Sequence, residues 1–104
     1  MATSKIEAGI CGFHTQVEAE ALENYEVKLK IESTCKHIQK FAEDLKSVNA
    51  FNEISHKRGT REILAKGAEY CTHASCPVPV GIIKTVEVAA GLALPQVVKI
   101  EVEG

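Results

Sequence analysis

Apolar residues recur at every second position through the first third of the chain. Ile6, Ala8 and Ile10 alternate with Lys5, Glu7 and Gly9 until Gly9-Ile10-Cys11-Gly12 interrupts the run with two glycines. Phe13, Thr15, Val17, Ala19 and Ala21 then share one face, opposite His14, Gln16, Glu18 and Glu20. Tyr25, Val27, Leu29 and Ile31 alternate with Glu26, Lys28, Lys30 and Glu32. With Glu23-Asn24 as a tight turn, the last two runs predict an antiparallel hairpin with one wet face. At Ser33-Thr34 the period changes. Ile38, Phe41, Ala42, Leu45 and Val48 fall at helical spacing, which predicts a helix over 35–48 capped by Ser33 or Thr34.

Residues 49–59 read as loop, and Thr60–Lys66 as a short helix ended near Gly67. A polar loop over 69–78 follows. Pro79 suits the first position of another helix, whose stripe is Val80, Ile83, Val86, Ala90 and Leu92, stopped by Gly91 and Pro95. Val98, Ile100 and Val102 alternate with Lys99, Glu101 and Glu103 in an expected closing strand over 96–103. The order β-β-β-α-(α)-α-β predicts an α+β fold: an antiparallel sheet of three to four strands with two or three helices packed on one face.

Composition narrows the function. The chain has 104 residues, 45% of them hydrophobic and 25% charged, which suits one globular domain. A net charge of −2 argues against nucleic-acid binding. The longest apolar stretch, Val86–Leu94, contains Glu87, so no membrane span is expected. Met1–Lys5 leads into the first strand with no signal-like apolar run, so a cytoplasmic location is expected. No nucleophile elbow, phosphate-binding glycine loop or dinucleotide fingerprint occurs. Lys57, Arg58 and Arg61 form a small basic cluster that reads as a solvated turn.

The four cysteines remain. Cys11 lies in the glycine-flanked break, Cys35 opens the first long helix, and Cys71 and Cys76 lie in the loop before the last helix. All four thus sit at junctions, not at mid-element positions where an inert buried thiol packs. Histidines stand beside them in Cys11-x-x-His14, Cys35-x-His37 and Cys71-x-His73, whereas His56 stands apart. A cytoplasmic chain keeps its thiols reduced, and thiolate with imidazole suits zinc or an iron–sulfur cluster. The candidate ligands are Cys11, Cys35, Cys71, Cys76 and His73. Metal-free thiols and disulfides are the alternatives.

This arrangement resembles the NifU/IscU-type iron–sulfur cluster assembly scaffolds over residues 4–91. The carriers of the resemblance are Ile10-Cys11-Gly12, Ser33-Thr34-Cys35, and Cys76 opening the last helix. The resemblance implies that Cys11, Cys35 and Cys76 converge at one end of the domain and hold a nascent cluster or zinc. The family's histidine before the third cysteine is Ser75 here, so His73 or Cys71 would have to substitute. Phe13 stands where the family has an acidic residue, and Glu69-Tyr70-Cys71-Thr72-His73 replaces its proline-rich segment. The partners implied are a sulfur donor or an acceptor apoprotein, and the closing strand offers an edge for a homodimer. Two other classes fit the same thiols: an interaction module in which zinc stitches loop 69–78 to the sheet, and a small enzyme with Cys35 as nucleophile, assisted by His37 or His73.

Overall fold

Strands β1 (Ala2–Glu7), β2 (His14–Ala21), β3 (Glu26–Ser33) and β4 (Ser47–Asn49) form one antiparallel sheet in the order β1-β2-β3-β4. The computed structural model describes residues 1–57 and 59–104, so Arg58 of the basic cluster lies outside the described residues. Helices α1 (Lys36–Asp44), α2 (Ala50–Glu53), α3 (Glu62–Tyr70) and α4 (Val78–Ala89) complete the fold. Cross-strand register keeps like with like. Val17 pairs with Ile31 and Ala19 with Leu29 on the inner face, while Glu18 meets Lys30 and Glu20 meets Lys28 on the outer. Such opposed charges support the pairing from the solvent side, and a one-residue slip would turn every aliphatic side chain outward.

The helices cover only the inner face. α1 lies on β3, α4 spans β1 and β2, and α3 packs between α1 and α4. Val17, Ala19, Val27, Leu29 and Val48 from the sheet meet Ile38, Phe41, Leu45, Ile63, Val78, Ile82 and Val86 in one buried core. Each large aliphatic side chain so buried contributes roughly 1.5–3 kcal/mol. Close approach of α4 rests on glycine: a Cβ on Gly81 would strike the side chain of Ile6. The fold is therefore α+β with helices on one sheet face. Among the described residues, no helix is long and apolar enough to cross a membrane.

Several element boundaries differ from those expected. The first strand is Ala2–Glu7, and Ile10 sits fully exposed in the loop beyond it. Tyr25 belongs to the hairpin turn, where Asn24 and Tyr25 both have left-handed φ (56° and 63°), and its ring packs on Phe51 at 4.3 Å. The first helix ends at Asp44. Val48 is buried as expected, but from β4, whose register sets it opposite Val27. Within the expected loop 49–59, α2 forms because the Asn49 side chain accepts the Phe51 N–H at 3.1 Å. Gly67 does not stop α3. It is buried against Pro79, and the helix continues to Tyr70.

The inner stripe of α4 is Val78, Pro79, Ile82, Thr85 and Val86, so Val80 faces outward. The largest departure is the expected closing strand. Residues 96–103 form no regular secondary structure and are not part of the four-stranded sheet.

Candidate thiol site

Cys35 stands at the turn from β3 into α1, where hydrogen bonds hold the backbone closely. The Cys35 N–H donates to Ser33 Oγ at 3.1 Å, and Ser33 Oγ lies 2.8 Å from Thr15 Oγ1. The Thr34 N–H donates to the His14 carbonyl at 3.0 Å, and the His14 N–H donates to Thr34 Oγ1 at 2.9 Å. Gln39 Nε2 adds a bond to the Ser33 carbonyl at 2.8 Å. Cys35 therefore caps the helix by its backbone, with its side chain half-buried against the core.

Cys71 closes α3, its N–H donating to the Gly67 carbonyl at 2.8 Å. A short loop brings the chain to Cys76, whose N–H donates to the His73 carbonyl at 3.2 Å. Pro77 and α4 follow immediately. Both sulfurs are half-buried and pack on the same core as Cys35. Burial pushes the Cys71 thiol from 9.0 up to about 12, aided by the field of Cys76, a hydrogen bond with Cys76, and the field of Cys35. Thiols close together in a partly dry place keep their protons, because burial and mutual repulsion disfavour their thiolates. A divalent cation reverses that balance, because coordination stabilises the thiolate outright.

The remaining candidates lie differently. Cys11 is exposed in the loop joining β1 to β2, which Gly9 and Gly12 close with positive φ (89° and 74°) and an N–H to carbonyl bond of 2.9 Å. That loop shares the sheet end with Cys35, since His14 bonds to Thr34, but Cys11 is not among the groups that perturb Cys71. His73 is exposed in the loop between Cys71 and Cys76. His14 lies on the wet face 3.7 Å from Glu7, and His37 and His56 are exposed. Among the described residues, no three His, Cys, Asp or Glu side chains form a ready-made coordination set. Cys71 is thus hydrogen-bonded to Cys76 and feels the charge of Cys35, His73 lies between Cys71 and Cys76 in the chain, and Cys11 lies at the same end of the sheet as Cys35.

Two groups carry more weight than the sequence reading assigned. Cys71 is the thiol set most firmly in the protonated state. Ile63, Gly67 and Cys71 recur every four residues, a core stripe that could have marked Cys71 as the end of α3. Glu53 is buried, and its carboxylate accepts the N–H groups of Glu62 and Ile63 at 3.2 and 2.9 Å, capping α3 from a distance in sequence. Burial raises its pKa above 4.5, against the lowering effect of those two bonds.

The model of a family of unknown function, DUF6951, matches residues 2–102. The chain belongs to this family. No curated protein and no solved structure matches it. The match spans the sheet, helices α1 to α4 and most of the tail beyond α4.

Proposed function

We propose that this chain binds a soft metal ion or an iron–sulfur cluster through Cys35, Cys71 and Cys76, with Cys11 or His73 available to complete the set. The observation that carries this reading is the position of the Cys71 thiol, hydrogen-bonded to Cys76 and in the field of Cys35. The donors come from three separate junctions: the start of α1, the end of α3 and the approach to α4. Their chemistry fits, since sulfur donors select zinc and iron–sulfur clusters over hard cations. Among the described residues no three such side chains form a ready-made group, so binding would draw the donors together. The resemblance to NifU/IscU-type scaffolds supports the cluster over a lone ion, and supports a sulfur donor or an acceptor apoprotein as partner. A reducing compartment such as the cytoplasm would keep the thiols free for this role.

When bound, the metal or cluster supplies Lewis-acid charge that holds thiolates together. The chain's own part is to bring the sulfurs close and to release protons. Cys71 gives up the proton it otherwise keeps to about pH 12, so affinity rises with pH across the neutral range. Chain purified without oxygen should carry zinc, or iron with acid-labile sulfide, near one site per chain. An iron-loaded sample should be brown with thiolate-to-iron absorption, whereas colourless, zinc-loaded protein would favour a stitching role. Cys71→Ser and Cys76→Ser should each lower the metal content. Metal-free protein whose melting ignores chelator would overturn the reading.

A further inference from the structure

Beyond α4 the chain keeps a strand's alternation without a strand's neighbours. Leu94, Val97, Ile100 and Val102 are 89%, 83%, 79% and 90% exposed, and Lys99 Nζ meets Glu101 Oε1 at 2.7 Å within the tail itself. A segment that leaves so many aliphatic side chains in water is incomplete by itself. The sheet offers a matching vacancy, since β1 pairs with β2 on one side only.

The two faces of β1 differ. Ser4 and Ile6 turn toward α4, with Ser4 Oγ 2.6 Å from Thr85 Oγ1 and Ile6 against Gly81. Thr3, Lys5 and Glu7 point to solvent. Helical spacing sets the half-buried Val88 beside Gly81 and Thr85, the positions of α4 that face β1, whereas Val80 points away from the sheet. A fifth strand beside β1 would therefore meet aliphatic surface on its helix side and charged residues on its outer side.

We propose that the tail Val98–Gly104 of one copy adds as an antiparallel strand to the β1 edge of a second copy and receives that copy's tail in return, giving a homodimer. The register follows from charge. Setting Ile100 opposite Ile6 places Val102 beside Ser4 on the inner face, and on the outer face it sets Lys99 opposite Glu7 and Glu101 opposite Lys5. A shift of two residues in either direction sets like charges opposite one another, Lys99 at Lys5 or Glu101 at Glu7. Direction selects the partner. Gly81 lies at Ile6 and Thr85 at Ser4, so α4 runs antiparallel to β1 and the tail leaves from the Ala2 end. Folding directly back onto its own β1 would make the tail parallel, and no parallel register opposes both Lys99 and Glu101 with opposite charges. A second copy has no such constraint, and mutual exchange closes as a two-fold dimer.

Sedimentation velocity over a concentration series tests this on the full chain. The wild type should show a reversible dimer. Glu101→Pro removes, in both exchanged strands, a ladder donor aimed at the Lys5 carbonyl, because β1 turns its Ile6 and Ala8 backbone toward β2 and leaves that of Lys5 and Glu7 on the open edge, and it should raise Kd about 100-fold. Among the described residues no hydrophobic side chain of the tail packs on the buried core, so the circular dichroism of the dilute variant should be unchanged. Lys5→Glu and Glu101→Lys should each raise Kd about tenfold by opposing like charges twice per dimer. An equal mixture of these two variants should recover wild-type association, because both contacts then join opposite charges. A monomer at every concentration, as a tail closing on its own β1 would give, overturns the proposal. So does a Glu101→Pro dimer as tight as the wild type, or a mixture no tighter than its components.

Discussion

β3 and the C-terminal tail carry nearly the same pattern and meet opposite fates. Val27, Leu29 and Ile31 alternate with charged residues in one, and Val98, Ile100 and Val102 do so in the other. β3 is flanked by β2 and β4 and roofed by α1, so Val27 and Leu29 are 0% and 4% exposed. In the tail Val98, Ile100 and Val102 are 54%, 79% and 90% exposed, and among the described residues no strand flanks it. Alternation therefore specifies a face, whereas a strand also needs backbone partners and a layer to bury against. Stability should concentrate where both are supplied.

Substitutions that probe the two regions should differ steeply. Leu29→Ala should cost about 2–5 kcal/mol in urea unfolding, because the central position of β3 cannot collapse around the cavity. A cost below that of an exposed site would mean that the roof over β3 is looser than drawn here. In the covering layer, Glu53→Ala leaves the first N–H groups of α3 without their acceptor and should cost roughly 1–3 kcal/mol. Glu53→Gln retains an acceptor and should lose less. It should also remove a pH dependence of definite sign. The folded carboxyl holds its proton more tightly than the unfolded one, so wild-type stability falls as pH rises through the interval above 4.5.

The thiol end of the same layer gives a smaller, alkaline signature. The Cys71 thiol is raised from 9.0 to about 12, so the folded state binds the extra proton between those values. Its contribution is complete below about pH 9 and is lost as pH approaches 12. Cys71→Ser should flatten that part of the stability curve in metal-free protein, and Cys71 should be the slowest of the four thiols to alkylate near neutral pH. The smallest effect belongs to the tail. Ile100→Ala should alter unfolding of the dilute chain by no more than about 0.5 kcal/mol. A loss comparable with Leu29→Ala would show that the tail is packed after all.

The residues themselves were enough to predict the hairpin, the wet outer face, the α1 stripe of Ile38, Phe41 and Leu45, and a one-sided α+β layer. Each follows from a local period that neighbouring residues already display. The positions of the thiols at chain junctions were equally legible, because glycine, proline and changes of period mark the ends of elements. What lay outside the sequence was every decision made by a distant partner. Val48 became part of a strand because Val27 was there to pair with it. Gly67 stayed inside a helix because Pro79 needed the space. Cys71 met Cys76 because the short loop between α3 and α4 sets the end of one helix beside the start of the other. The tail shows the same limit from the other side: its alternation is complete in the sequence, but no strand of its own sheet pairs with it. Periodicity is a property of a segment, and pairing is a property of two. Tertiary structure alone determines whether the second is present.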